Sequence, residues 1–241
     1  VYGLKYKNIH SYNDIGLVML SKNRVLLPET ADEYVDIPGR DGSILFAGAM
    51  KDRTIEVEFS ALANTLPELR ILARRIAAWL YSATRQALVF DDEPGLYYMA
   101  RVSNQLDLEQ TAALGKFTVD FRCEPLAYSV AESTFSKTVT TAPETITYAG
   151  TYKALPVITI TATSDMTNPS ITVEDKTLIY TGTLAAGQSL VINCETYQAT
   201  ITGVNALGSV SGDWPVLYPG ENEVTMSTGC SLQIKYRERW L

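Results

Sequence analysis

The sequence predicts a mainly β chain in two parts: an α+β N-terminal domain, sandwich- or barrel-like with one packed helix, and a C-terminal β-sandwich of jelly-roll type. Three observations predict it. Two segments of the first half alternate strictly between apolar and polar residues, one segment between them carries a helical apolar stripe, and beyond Cys123 short Thr-rich runs follow one another between turn signals. At 241 residues the chain is long enough to bury one large or two ordinary cores.

In chain order, the first informative stretch is "DIPGRDGSI", Asp36 to Ile44. Pro38 fixes φ, Gly39 permits positive φ, and Asp41-Gly42 suits a tight hairpin turn, so the stretch reads as a hairpin tip with Arg40 offered to a partner. It is no phosphate loop, because a Gly-Lys pair is missing and an apolar strand follows where a helix is needed. In "TIEVEFSA", Ile55, Val57 and Phe59 face one way while Thr54, Glu56 and Glu58 face the other, as in a half-buried strand. The segment "TLPELRILARRIAAWLYS" places Leu69, Leu72, Ile76 and Leu80 on one helical stripe. Thr65 is its expected cap, Glu68 the residue reaching back, and Pro67 sits in the opening turn where a missing N–H costs nothing. Arg70, Arg74 and Arg75 fall on its flank and read as a solvated face. "FDDEPG", with Asp91, Asp92 and Glu93, reads as a solvated β-turn, since three adjacent carboxylates diverge around a turn and lack the alternate spacing of a calcium loop. "KFTVDFRC" repeats the alternation, with Phe117, Val119 and Phe121 inward.

After Cys123 the texture changes to Ser, Thr, Pro and Gly, and the domain boundary is placed here: residues 1–133 form the first domain and 134–241 the second. The runs "VITITAT", "SITV", "TLIYTG", "SLVINCET", "QATITG", "NEVTMS" and "SLQIKYR", divided by "TNPS", "AAGQ" and "YPGEN", are the strands of the sandwich.

Charge narrows the function. The chain carries 20 basic and 27 acidic side chains, a net of −7, which argues against gripping nucleic acid through its phosphates. Neither part hides a basic module: residues 1–130 hold 14 basic and 17 acidic groups, and residues 131–241 hold 6 and 10. No apolar run reaches membrane-spanning length and the N-terminus lacks a signal-peptide core, so the expectation is synthesis in a cytoplasm and no membrane partner. Cys123, Cys194 and Cys230 are widely spaced and read as buried free thiols.

Chemistry finds little material. His10 is the sole histidine and lies outside any motif, so no nucleophile–base pair is expected. "GSVSG", Gly208 to Gly212, has Val210 where a hydrolase elbow needs serine. The expected catalytic residues, metal ligands and cofactors are therefore none. Tyr180, Tyr197, Trp214, Tyr218 and Trp240 support a competing reading, a carbohydrate-binding module for host cell-wall adhesion, with Trp214 and Tyr218 as the sugar-stacking candidates. A cell-wall hydrolase is the remaining rival and lacks a catalytic constellation.

Several stretches carry a resemblance. "YNDIGLVMLSKNRVLLPE", "YVDIPGRDGSILFAG", "DRTIEVEFSALA", "IAAWLYS", "LVFDDEPGLYYMARV" and "GKFTVDFRCEPLAYS" occur in the order found in the distal tail protein (Dit) family of long-tailed phages and prophages of Gram-positive hosts, which the first 130 residues strongly resemble. The second half, with "PSITVEDKTLIYTGTLAAGQSLVINCET", "LYPGENEV" and "IKYRERWL", is similar to the family's C-terminal module. The resemblance implies a ring-forming N-terminal domain, a hexameric ring, and a galectin-like outer sandwich. It implies a virion tail-tip adaptor between the major tail tube protein and the hub, fibre and receptor-binding proteins. Genomic DNA would pass through an open central channel without specific binding, and the segment Pro38, Gly39, Arg40, Asp41, Gly42 becomes a candidate ring contact; that acidic residues line the passage is a separate hypothesis drawn from the chain's negative charge.

Overall fold

A computed structural model describes residues 2–105, 109–111 and 114–241. The chain divides into two compact units, Val1–Val130 with Leu241, and Ala131–Trp240.

The first unit contains strands β1 (Leu4–Tyr6), β2 (Ile9–His10), β3 (Leu17–Arg24), β4 (Glu33–Asp36), β5 (Ser43–Phe46) and β6 (Arg53–Leu62), helix α1 (Leu66–Leu80), and strands β7 (Gln86–Phe90), β8 (Leu96–Val102), β9 (Glu109–Thr111) and β10 (Leu114–Ser129). Its main path is one curled antiparallel sheet in the order β2-β1-β7-β8-β10-β6-β3. The centre is the long pairing of β6 with β10, which sets Phe59 opposite Phe117, Val57 opposite Val119 and Ile55 opposite Phe121. All six are buried, while Thr54, Glu56, Lys116 and Arg122 are exposed, so the period-two pattern is realised as read.

Helix α1 covers this apolar face. Thr65 caps it, its hydroxyl accepting from the Glu68 N–H at 3.4 Å. The Glu68 carboxylate reaches one residue further back than a capping box requires and accepts from the Asn64 N–H at 3.0 Å. Leu69, Ile76 and Leu80 are buried as the stripe predicts, whereas Leu72 is half-buried and Trp79 takes the deeper place. The Trp79 indole meets Tyr6 and Phe59 edge-on, at 6.4 and 6.2 Å between centroids, and its Nε1–H donates to the Tyr6 carbonyl at 2.9 Å. Tyr6 in turn meets Phe121 at 5.3 Å. An aromatic side chain with a satisfied polar atom thus joins helix to sheet.

The second unit contains β11 (Ser133–Val139), β12 (Glu144–Tyr148), β13 (Val157–Thr161), β14 (Met166–Thr167), β15 (Ser170–Val173), β16 (Lys176–Tyr180), β17 (Thr183–Leu184), β18 (Ser189–Asn193), β19 (Gln198–Ile201), β20 (Val204–Asn205), β21 (Val210–Gly212), β22 (Gly220–Met226) and β23 (Cys230–Tyr236). One sheet runs β11-β23-β13-β18-β19-β20 and another β12-β22-β15-β16-β21. Ile158, Ile160, Leu232 and Ile234 of the first sheet join Ile146, Ile171, Val173 and Val224 of the second in one buried cluster. The Thr-rich strands show why the pattern was legible: Ile158 and Ile160 are buried while Thr159 and Thr161 are half-buried. The "YPGEN" turn is stapled from inside by Asn222, which is 0% exposed. Its Nδ2 donates to the carbonyls of Tyr218 and Gly220, and its Oδ1 accepts from the Tyr218 N–H.

All three cysteines are buried and free. Burial pushes the thiols of Cys123 and Cys194 up to about 12 and that of Cys230 up to about 11. They are inert core residues at neutral pH.

Candidate assembly surface

Strands β4 and β5 pair only with each other, as a two-stranded arm outside the main sheet. The register sets Glu33 opposite Phe46, Tyr34 opposite Leu45, Val35 opposite Ile44 and Asp36 opposite Ser43. Towards the base the ladder continues through the Ala31 N–H to Ala49 carbonyl bond at 3.0 Å and the Lys51 N–H to Glu29 carbonyl bond at 2.7 Å, with a Lys51–Glu29 ion pair beside it. Gly48 is needed here, because a Cβ on it would stand 1.8 Å from the Ala31 carbonyl oxygen. The Gly48 N–H donates to the Asp32 carboxylate at 2.9 Å, and the Thr30 hydroxyl donates to it at 2.6 Å. The Thr30 bond, followed by that from Gly48, holds the Asp32 carboxyl below its ordinary range.

At the tip the Arg40 N–H donates to the Ile37 carbonyl at 3.1 Å, closing a turn over Pro38 and Gly39. Gly39 has φ of 84°, as the third position of a type II turn demands, and Gly42 has φ of 75° where the chain re-enters β5. Pro38, Gly39, Arg40, Asp41 and Gly42 are all exposed.

The arm is apolar as well as exposed. Leu26 is 91% exposed, Leu27 64%, Tyr34 64%, Leu45 51% and Phe46 56%. Within the hairpin, Val35, Ile44 and Phe46 share one face with Glu33, and Tyr34 and Leu45 share the other with Asp36. Between Leu26 and Met50 there are five acidic residues and one basic, a net of −4. Apolar side chains exposed on both faces of a hairpin make it a candidate contact for another protein surface.

The arm is moored by Arg53, which sequence reasoning passed over. Its guanidinium is buried, donates through Nε to the Pro125 carbonyl at 2.8 Å and through Nη2 to the same oxygen, and reaches the Val25 carbonyl at 3.4 Å. It also lies 5.3 Å from the centre of the Tyr98 ring. Pro125 can offer its carbonyl because the β10–β8 register shifts between Cys123 and Ala127, the place where a proline without an N–H is tolerated. Desolvation depresses the Arg53 pKa. The signal was available: extending the alternation of β6 backwards by one step puts Arg53 on the inward face with Ile55. Arg53→Ala removes a buried side chain and leaves the half-buried Pro125 carbonyl without its donor, and is expected to cost about 3 kcal/mol in urea denaturation. Arg53→Lys, keeping the charge without the fork, should fall between the two.

The stretch Asp91–Glu93 is a β-turn, closed by the Glu93 N–H to Phe90 carbonyl bond at 3.0 Å, with Asp92 exposed. Its carboxylates do diverge, but each is spoken for. Asp91 accepts from the Gly3 N–H at 2.7 Å and lies 3.0 Å from His10 Nε2. Asp92 pairs with Lys22 and with Arg24 at 3.4 Å, and Glu93 pairs with Arg24 at 2.6 Å. Burial alone would raise the Asp92 carboxyl, yet the hydrogen bond and charge of Lys22 and the charge of Arg24 outweigh it, and the net displacement is downward. The turn therefore fastens β1 on one side and β3 on the other. His10 is structural too. Its Nδ1 accepts from the N–H groups of Tyr12 and Asn13, capping a π-turn over Ser11–Ile15, which leaves the proton on Nε2 facing Asp91. With both nitrogens occupied it has no free lone pair for a nucleophile. Among the described residues no group of acidic, histidine and cysteine side chains could hold a metal ion.

Elsewhere, Asp52 is clamped between Arg85 at 2.7 Å and Arg122 at 2.8 Å in a polar cleft. The two sugar-stacking candidates have separate surroundings. Trp214 is half-buried against the second core and meets Tyr197 edge-on at 5.3 Å, while Tyr218 is 40% exposed on the Asn222-stapled turn.

Comparison with known proteins places this arrangement. A family model described as phage tail protein RIFT-related domain matches residues 12–123, and one described as siphovirus-type tail component, C-terminal domain, matches residues 149–240. No curated protein sequence matches the chain. Among solved structures, SPP1 Dit (gp 19.1), described as a paradigm of the hub adsorption apparatus in Gram-positive-infecting phages, is similar over 100% of both chains, with a TM-score of 0.86 at 19% identity. A chain of the phage P2 baseplate in its activated conformation with Ca matches 98% of this chain with 97% of its own, at 10% identity and a TM-score of 0.47, a likeness too distant to weigh. With two tail-protein models matched in chain order over most of its length, the chain belongs to the siphovirus distal tail protein (Dit) family and is a phage tail component.

Proposed function

We propose that the chain is an architectural adaptor that closes into a hexameric ring at the tail tip. It joins the tail tube to the hub and receptor-binding apparatus, leaves a channel for DNA, and makes or breaks no covalent bond. The observation that carries this reading is the arm: an acidic, apolar hairpin held out from the body has a use only against another protein surface. Cyclic closure above a dimer is head-to-tail, so each subunit must offer two different, complementary faces, and the arm supplies one of them. The wet face of the main sheet supports the passage. Glu56 stands directly opposite Asp120, a like-charge pair that weakens the sheet and suits a wall along which DNA slides without sticking.

Light scattering or native mass spectrometry of the purified chain tests the proposal. Six copies or a multiple of six are expected. A chain that stays monomeric at every concentration, together with tail tips that show no annulus of this polypeptide, overturns it.

A further inference from the structure

If the arm is one face of a head-to-tail contact, the other face must be apolar and basic. One surface of the first unit is both. Leu62 at the end of β6 is 73% exposed, and Leu66 and Ile71 of α1 are 50% and 62% exposed. Between α1 and the π-turn, Leu62 and Ile71 border a cleft of about 340 Å³, lined also by Ile15, Leu72, Arg75 and Glu68, whose carboxylate is engaged by the Asn64 N–H. Arg70, Arg74 and Arg75 are exposed on the same helix, and among the described residues none of the three forms an ion pair with a carboxylate. The only acid on α1 is Glu68, which leaves the helix at +2. The arginine cleft around Asp52 is a poorer receiver, since its carboxylate already engages Arg85 and Arg122.

We propose that the exposed face of α1 and the cleft beside Leu62 and Ile71 receive the arm of an adjoining copy. This rests on the ring reading. Val35, Ile44 and Phe46, one face of the hairpin, are the apolar groups for the cleft. Glu33, Asp36 and Asp41 lie within the same short strand pair and tip, placed for Arg70, Arg74 and Arg75. Apolar burial supplies the affinity, and the opposed signs of arm and helix fix register and speed encounter. The fit is also self-limiting: two arms repel each other, and so do two helix faces, so a symmetric dimer is disfavoured and only head-to-tail growth remains.

Two experiments on the full chain test it. In the first, Phe46→Cys and Ile71→Cys are combined and the protein is treated at neutral pH with a short bis-maleimide. The native thiols are buried and do not compete. A ladder of cross-linked species is expected from the double variant and none from either single one. In the second, R70E, R74E and R75E together should raise the concentration needed for assembly at least tenfold. Adding E33K, D36K and D41K to the same chain should restore it. Circular dichroism checks that each variant is folded. A wild-type chain that assembles while the charge-reversed variant assembles equally well and no ladder forms removes this surface and leaves the ring standing. A wild-type chain that never assembles and gives no ladder, together with tail tips that show no annulus of this polypeptide, removes both.

Discussion

Trp79→Ala is expected to lower the stability of the first unit by about 4 kcal/mol, the cost of emptying a tryptophan-sized site in a packed core. The lost side chain is 3% exposed, touches Tyr6 and Phe59, and donates the bond that ties the helix to the Tyr6 carbonyl. Both the cavity and the orphaned carbonyl count against the variant. For a unit of this size the shift in Tm is on the order of 15 °C. The second unit has its own buried cluster and should keep its transition, so calorimetry should resolve one displaced and one unmoved event. A single transition displaced as a whole would mean that the two units melt together. A displacement of under a few degrees would mean that α1 is an accessory to the sheet.

The second large effect is on assembly. Gly48→Val should leave the body's Tm within about 1 °C of the parent, since the change lies at an exposed site, yet abolish the proposed ring. The reason is steric. The Cβ of any residue here would fall 1.8 Å from the Ala31 oxygen, so the two arm strands could not pair at their base. The hairpin would lose its alignment on Glu29–Lys51 and with it the single face formed by Val35, Ile44 and Phe46. Light scattering on the variant should return one copy. Wild-type assembly in Gly48→Val would show that the arm is dispensable for closure.

Much of the scaffold was legible because burial there is decided within one chain. The alternation in "TIEVEFSA" and "KFTVDFRC" translates directly into the buried row Ile55, Val57, Phe59, Phe117, Val119 and Phe121. The Thr-rich runs of the second half became strands for the same reason. Where a side chain answers to a partner far along the chain, periodicity is silent. Nothing local says that His10 and Asp91, 81 positions apart, meet, or that Lys22 and Arg24 neutralise the turn at Asp92 and Glu93. The turn is a solvated β-turn as read, and only its ion pairs lay beyond local pattern. Trp79 displaced Leu72 from the deepest position because a helical stripe is wide enough for either, and the aromatic cluster beneath favours a ring. The arm is the hardest case. "YVDI" and "SILF" carry the apolar residues of an ordinary buried strand, and no pattern within one chain distinguishes burial under its own core from burial under a neighbour.

A hairpin of two four-residue strands is at the lower limit of what water allows to persist alone. The bonds at its base, from the Ala31 N–H to the Ala49 carbonyl and from the Lys51 N–H to the Glu29 carbonyl, therefore carry much of its order in a lone subunit. On the ring reading, a neighbour's surface would add the support that water does not, and the ordering cost met at docking would favour sites with several neighbours over stray pairs.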